Sequence, residues 1–110
     1  MSDLICIIPA RGGSKRIPKK NIKSFFDKPI ISYAIEAALR SNLFDDIIVS
    51  TDSVEIAKIA RKFGASVPFM RSKKNSDDFA TTYDVLEEVL IELKKINRVY
   101  KHVCCLYPCV

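Results

Sequence analysis

The 110-residue sequence lacks any long apolar run and contains only 3 glycines, 5 prolines and 1 histidine. Without a stretch of about 18 apolar residues, it offers no candidate for a membrane-spanning helix. The apolar run at residues 4–8 ends at Pro9, which makes it too short for a signal peptide, and we expect a cytoplasmic protein. A hydrophobic content of 48% with little Gly or Pro excludes a disordered chain and predicts one small domain over residues 1–110.

The cysteines also lack the pattern of a zinc site. Three of the 4 cysteines lie together near the C-terminus, Cys6 is isolated, and His102 is the only histidine. Cys6 and the pair at positions 104–105 fall within apolar runs, where a free thiol behaves as a small buried hydrophobe. We therefore predict structural, buried cysteines in a reducing compartment rather than a metal site or a disulfide.

The positive charge is concentrated in one segment. The chain carries a net charge of +5, and seven of its 18 Lys and Arg residues lie within residues 11–28, where Asp27 is the one acid. The remainder of the chain is close to neutral. A local excess of this kind favours a focused anionic ligand over the extended basic surface that nucleic acids require, so we expect no nucleic-acid partner.

Short apolar runs alternate with helical patterns along the chain. The patterns predict strands at residues 4–8, 46–50, 66–69 and 102–107, and helices beginning at Pro29, at Asp52 or Ser53, and at Thr81. Asn42 and Gly64 are typical of the ends of the first two helices, and Ile96 closes the apolar stripe of the third. Strands alternating with helices predict an α/β fold with a parallel sheet and helices on both of its faces.

The first strand leads into a basic loop at residues 10–21. Gly12 and Gly13 allow a tight turn that brings backbone N–H groups close to a ligand, and Ser14 adds a hydroxyl donor. Arg11 offers a planar fork for phosphate oxygens. The loop matches neither the P-loop nor the dinucleotide fingerprint, so a polyphosphate site and a solvated surface loop both remain open from the residues alone.

The sequence resembles the acylneuraminate cytidylyltransferase family over essentially its whole length. The resemblance rests on IIPARGGSK at residues 7–15, KN at 20–21, KPI at 28–30, IVSTDS at 48–53 and VPFMR at 67–71. Within the family, the pseudaminic acid branch is the most similar, through KRIP at residues 15–18, SDDF at 76–79 and CCLYP at 104–108. Cys109 departs from the family pattern, in which a small hydroxyl residue commonly follows the proline.

The resemblance implies a Rossmann-like nucleotidyltransferase fold, a three-layer sandwich with a mostly parallel sheet. It further implies transfer of CMP from CTP to a nonulosonic acid, with release of pyrophosphate and use of Mg²⁺. Pseudaminic acid is the favoured acceptor and N-acetylneuraminic acid the next. Members of the family are longer than this chain and form homodimers, so the chain is expected to be a truncated, N-terminal nucleotide-binding part of a single domain.

Site residues also follow from the resemblance. Arg11 and Lys20 are implied as catalytic, charge-stabilising residues, and Tyr107 as a contact of the acceptor sugar. The implied nucleotide-binding residues are Ala10, Arg11, Gly12, Gly13, Ser14, Lys15, Lys20, Asn21 and Arg71. Of these, Asn21 and Arg71 would contact the cytidine portion. The chain offers no clear pair of acids for Mg²⁺, and the resemblance places the metal ligands outside it.

Several of these residues have a plainer interpretation. Arg71 could pair with Asp77 or Asp78 across its own loop, and Tyr107 could be a packed strand residue. Asp52 is better explained as a helix cap than as a metal ligand. At the level of the whole chain, the alternatives are a non-catalytic nucleotide-binding fragment that needs a partner chain, and binding of nucleic acid through the basic loop.

Overall fold

The computed structural model describes residues 3–12, 24–25, 28–76 and 80–108 of the chain. In chain order the elements are β1 (Leu4–Pro9), β2 (Ser24–Phe25), β3 (Lys28–Pro29), α1 (Ile30–Ser41), β4 (Asp46–Ser50), α2 (Val54–Lys62), α3 (Thr82–Lys95) and β5 (His102–Cys105). No helix among these residues is both long and apolar enough to cross a membrane.

Strand β1 lies at the centre of a three-stranded parallel sheet with the order β4-β1-β5. Its register places Cys6 opposite Ile47 on one side and opposite Cys104 on the other. Residues 5–8 are fully buried, as expected for an apolar run with a covered face on either side. A small antiparallel pair, β2 with β3, lies outside this sheet.

Helices cover both faces of the sheet. On one face, α1 and α2 pack Ile31, Ile35 and Ile56 against the strand residues Cys6 and Ile8. On the other face, α3 packs Val89 and Leu93 against Ile5, Ile7 and Ile48. The side chains alternate between the two faces because successive residues of a strand point in opposite directions. This arrangement confirms the predicted three-layer α/β sandwich.

The helix boundaries follow local chemistry that the sequence displays. Helix α1 begins after Pro29 and ends at Asn42, whose φ of 55° is left-handed. Helix α2 is capped by Ser53, and Gly64 follows its last turn with φ of 105°. At the start of α3, Thr81 and Asp84 form a complete capping box. The predicted helix ends are confirmed. The predicted start differs by one residue at α1, where Pro29 is the N-cap rather than the first residue, and Ser53 rather than Asp52 caps α2.

Two predicted strands are shorter in the structure. The strand expected at residues 66–69 is reduced to a single parallel bridge between Ser66 and Ile48, because Pro68 has no N–H to continue a ladder. Strand β5 ends at Cys105 rather than at residue 107. Ile96 was wrongly assigned to the buried stripe of α3, since it is 55% exposed and stands at the C-cap of the helix.

The cysteine prediction is confirmed for Cys6, which is fully buried. Cys104 and Cys105 are half-buried, and all three thiols are free. Burial raises the pKa of the Cys6 thiol to about 12, with the neighbouring Cys104 and Cys105 adding to the rise. A thiol with so high a pKa stays neutral and acts as a packing residue. Cys109 lies outside the described residues.

Candidate functional site

The order of the strands locates the candidate site. From β1 the chain crosses through α1 to β4 on one side, and it later returns through α3 to β5 on the other side. The direction of the sheet order therefore reverses at β1. In open α/β sheets, ligands bind at such a switch point, outside the carboxyl ends of the strands. The residues that follow β1, β4 and β5 lie at this edge of the sheet, which we call the carboxyl edge.

Ala10 and Gly12 are fixed at this edge by the neighbouring strand. Ala10 is fully buried, and its N–H donates to the carbonyl of Ser50 at 2.9 Å. The N–H of Gly12 donates to the Asp52 carboxylate at 2.8 Å. A Cβ on Gly12 would lie only 2.9 Å from the Cβ of Ser53, so the close approach of these two loops requires glycine.

Arg71 is a buried cation at the same edge. It is only 8% exposed, and its Nε and Nη2 donate to the Ser50 hydroxyl at 3.1 Å and the Ser50 carbonyl at 2.7 Å. Its backbone N–H donates to the carbonyl of Thr51 at 2.7 Å. These bonds attach the Arg71 loop to the end of β4.

The charges around Arg71 converge from three segments. Burial lowers the pKa of the Arg71 guanidinium, because desolvation disfavours the charged form. The carboxylates of Asp52 and Glu88 oppose this effect, whereas the positive charge of Arg11 adds to it. Arg11, Asp52 and Glu88 thus all contribute to the electrostatic environment of Arg71.

Tyr107 lies beyond the end of β5 and is 49% exposed. Its hydroxyl is hydrogen-bonded to the hydroxyl of Thr82, the first residue of α3. Tyr107 is therefore not a packed strand residue, which was the alternative interpretation of its sequence position. The hydroxyl pair places an aromatic ring at the same sheet edge as Arg71 and Gly12.

The structure describes five of the expected site residues. It describes Ala10, Arg11, Gly12, Arg71 and Tyr107, all of which follow the carboxyl ends of strands or are bonded to one. The remaining expected residues lie outside the described part of the chain: Gly13, Ser14, Lys15, Lys20 and Asn21. The alternative partners of Arg71, Asp77 and Asp78, also lie outside it.

Sequence reasoning missed two residues of this edge. Ser50 was treated as the end of a strand, yet its hydroxyl and carbonyl both hold Arg71. Asp52 was interpreted as a helix cap, yet its carboxylate holds the backbone of Gly12. The signal that could have found them is the abrupt change from buried apolar residues to Ser-Thr-Asp at the carboxyl end of β4.

The donor set does not fit a protein-held metal ion within the described residues. No group of three or more His, Cys, Asp or Glu side chains in residues 3–12, 28–76 and 80–108 could hold one. The Asp52 carboxylate, which follows β4, already accepts a hydrogen bond from the N–H of Gly12. Mg²⁺ keeps several waters and is commonly bound by one or two carboxylates together with substrate phosphates, so the described residues alone do not form a complete site.

Comparison with known proteins extends these observations. The chain is 53% identical over 103 residues to the pseudaminic acid cytidylyltransferase of Campylobacter jejuni, covering 94% of this chain and 44% of that protein. It is 38% identical over 105 residues to the CMP-N,N'-diacetyllegionaminic acid synthase of Legionella pneumophila, covering 96% and 45% of the two chains. The chain thus spans less than half the length of these curated relatives.

A solved structure shares the fold. The CMP:2-keto-3-deoxy-manno-octonic acid synthetase complexed with CTP superposes with a TM-score of 0.74 at 28% identity, covering 97% of this chain and 40% of that one. A family model described as cytidylyltransferase matches residues 5–110. The match includes every described residue of the carboxyl edge. The chain therefore belongs to the cytidylyltransferase family.

Proposed function

We propose that the chain is the nucleotide-binding part of a single cytidylyltransferase domain that transfers CMP from CTP to a nonulosonic acid and releases pyrophosphate. The observation that carries the proposal is the buried Arg71, held by Ser50 beside the glycine turn at the switch point of the sheet. A desolvated arginine is a costly arrangement, and hydrogen-bond acceptors of a bound nucleotide offset that cost.

The chemistry of the transfer needs this arrangement. The anomeric hydroxyl of the sugar attacks the α-phosphorus of CTP, and pyrophosphate leaves. Such a reaction depends on positioning and on stabilisation of the developing negative charge. In the proposal Arg11 and Lys20 stabilise that charge, and the backbone of Ala10 and Gly12 lies along the nucleotide. Gly13, Ser14 and Lys15 complete the triphosphate contacts, while Asn21 and Arg71 contact the cytidine portion.

The acceptor and the cofactor are the finer parts of the proposal. We assign pseudaminic acid as the first acceptor and N-acetylneuraminic acid as the second, with Tyr107 contacting the sugar. The similarity to a pseudaminic acid enzyme at 53% identity supports this order. Mg²⁺ is proposed for the whole protein only, since the described residues do not build a site for it, and no step is derived through it. A homodimer in the cytoplasm, where CTP is available, completes the proposal.

Nucleotide preference is the first test. The melting temperature of the 110-residue chain is measured with equal concentrations of CTP, UTP, ATP and GTP, and CTP should give the largest rise. Arg71→Ala should abolish the difference among nucleotides. Arg40→Ala is the matched control, because Arg40 is an exposed arginine in the last turn of α1, far from the carboxyl edge. Equal rises with all four nucleotides would contradict the proposal.

Turnover is the second test. Pyrophosphate release is measured from CTP with pseudaminic acid and with N-acetylneuraminic acid, in the presence of Mg²⁺ and of a chelator. In an active enzyme, Arg11→Ala should lose about 3 kcal/mol of transition-state stabilisation, or roughly a hundredfold in rate. Near-normal turnover in that variant would remove Arg11 from the catalytic role. Preferential binding of CTP without any release of pyrophosphate would limit this chain to nucleotide binding.

A further inference from the structure

We propose that Ser50 is a positioning residue, which fixes the orientation of the Arg71 guanidinium for nucleotide binding. The inference rests on the proposed function and adds to it a residue that does not itself contact the nucleotide. Ser50 ends β4 and is 2% exposed, so its side chain is enclosed by the protein. Its role is therefore to act through Arg71.

The geometry of the pair is specific. The Ser50 hydroxyl accepts from Nε of Arg71 at 3.1 Å, and the Ser50 carbonyl accepts from Nη2 at 2.7 Å. One residue thereby engages one whole edge of the planar guanidinium. Because the guanidinium is rigid and planar, two bonds on a single edge fix both its position and its plane.

The backbone reinforces the same attachment. The N–H of Arg71 donates to the carbonyl of Thr51 at 2.7 Å, so the main chain and the side chain of Arg71 are both tied to the end of β4. An arginine free in solution samples many rotamers, and a ligand that binds it must restrict them. When the protein already restricts the arginine, less binding free energy is spent on ordering its side chain, and the ligand binds more tightly.

Other charges also act on the Arg71 guanidinium. Arg11 repels it, whereas Asp52 and Glu88 attract it. Glu88 reaches the Arg71 loop from α3 and accepts a hydrogen bond from the N–H of Ser72 at 3.2 Å. Without the Ser50 hydroxyl, Nε loses its partner, and the guanidinium is left to these competing charges and to the one remaining carbonyl bond.

The chain provides a matched control in Ser32. It is 0% exposed, and its hydroxyl donates to the carbonyl of Pro29 at 2.7 Å. Replacing Ser32 by alanine therefore removes a buried serine hydroxyl and its hydrogen bond in the first turn of α1, without removing a hydrogen-bond partner of Arg71. A general effect of losing a buried hydroxyl should appear in both Ser32→Ala and Ser50→Ala. An effect that acts through Arg71 should appear only in Ser50→Ala.

The experiment is a double-mutant cycle on the dissociation constant for CTP, measured by calorimetry on the 110-residue chain. Ser50→Ala should weaken CTP binding about threefold to tenfold, the usual range for one hydrogen bond. Ser32→Ala should leave the dissociation constant unchanged. In an Arg71→Ala background, Ser50→Ala should cause no further weakening, because the group that it positions is gone.

A second readout is independent of nucleotide. The NMR signal of the Arg71 Nε–H should exchange slowly with solvent in the wild type and in Ser32→Ala, and rapidly in Ser50→Ala. Ser50→Cys, which keeps the volume of the side chain but is a poor acceptor, should resemble Ser50→Ala and covers the case in which the alanine variant does not fold.

The outcomes separate the two proposals. Two results would contradict the positioning role while leaving the proposed function intact, provided that the wild type prefers CTP. In the first, the Ser50→Ala variant binds CTP as tightly as the wild type does. In the second, Ser50→Ala weakens CTP binding by the same factor in the wild type and in the Arg71→Ala background. If the wild type shows no preference for CTP, the proposed function fails, and the role of Ser50 in nucleotide binding fails with it. Slow exchange of the Nε–H would then identify Ser50 as a structural anchor only.

Discussion

The Asp52 carboxylate accepts a hydrogen bond from the backbone N–H of Gly12 at 2.8 Å, although 40 positions separate the two residues in the sequence. The contact joins the turn after β1 to the turn after β4. Asp52 thus shapes the loop that carries the glycines, and the next residue, Ser53, caps α2 by accepting from the N–H of Ile56 at 3.2 Å. The sequence pattern left Asp52 and Ser53 both open as the helix cap, whereas in the structure Asp52 holds the first loop and Ser53 caps the helix.

Replacing Gly12 by alanine should displace the first loop. The new Cβ would lie 2.9 Å from the Cβ of Ser53 and 3.4 Å from the Asp52 carboxylate, and a Cβ cannot swing aside. We expect a loss of about 1–3 kcal/mol of unfolding free energy, typical of an overpacked contact, and a weaker affinity for CTP. Urea denaturation and calorimetry measure the two effects. Unchanged values of both would contradict this close approach.

Asp52 tests whether an acceptor or a charge is needed beside Gly12. Asp52→Asn keeps a carbonyl oxygen that can accept from the Gly12 N–H, whereas Asp52→Ala removes the acceptor. We expect the alanine variant to lose about 1 kcal/mol in urea denaturation and the asparagine variant to stay near the wild type. An equal loss in both variants would show that the charge, not the hydrogen bond, stabilises the turn.

The capping box of α3 should account for a measurable part of the stability. Thr81 accepts from the N–H of Asp84 at 3.1 Å, and the Asp84 carboxylate accepts from the N–H of Thr81 at 3.0 Å. Thr81→Ala should lower the unfolding free energy by about 1 kcal/mol, and Thr81→Ser should preserve it. Circular dichroism during urea denaturation gives the comparison, and a stable alanine variant would argue against the cap.

Tyr107 tests the acceptor end of the proposed site. Tyr107→Phe keeps the half-exposed ring and removes the hydroxyl that is paired with Thr82. In an active cytidylyltransferase we expect a several-fold rise in KM for the nonulosonic acid with an unchanged KM for CTP, corresponding to about 1 kcal/mol for one hydroxyl contact. Equal changes in both KM values would assign Tyr107 to general packing of the edge.

The buried thiol of Cys6 should make the protein less stable in alkali. Its pKa rises from 9.0 to about 12 on folding, so the unfolded chain releases this proton at a lower pH than the folded chain does. The stabilising contribution is complete below pH 9.0 and is lost as the pH rises toward 12. Urea denaturation across this range should give a steeper fall for the wild type than for Cys6→Ala. Parallel pH dependences would show that Cys6 does not contribute.

Much of the fold was predictable because its signals are local. The fully buried run that forms β1, the N-caps Ser53 and Thr81, and the left-handed residue Asn42 are each specified by a few neighbouring side chains. The apolar pattern at residues 66–69 predicted a strand, but the structure has only a single bridge at Ser66. Pro68 lacks the N–H that would continue the ladder, and a pattern of apolar residues does not reveal a missing donor. The short pairing of β2 with β3 was also missed, since two-residue strands carry no periodic signal.

The site was less predictable because its contacts are distant in sequence. The resemblance indicated Arg71, but its attachment to Ser50 spans 21 positions and depends on how β4 lies beside β1. The change from apolar to polar residues at Ser50 and Thr51 indicates the end of a strand, but it does not show that Ser50 holds an arginine. Only the assembled sheet edge defines which donor meets which acceptor.

The carbonyl of Ser50 has a consequence for protein engineering. This one oxygen accepts both the N–H of Ala10 and the Nη2 of Arg71. No substitution of the side chain at position 50 removes the main-chain oxygen. Variants at this position would therefore weaken the attachment of Arg71 to different extents but would keep the bond from Nη2 to the carbonyl. Complete release would require an amide-to-ester replacement that weakens this oxygen as an acceptor, and the same change would loosen the turn after β1.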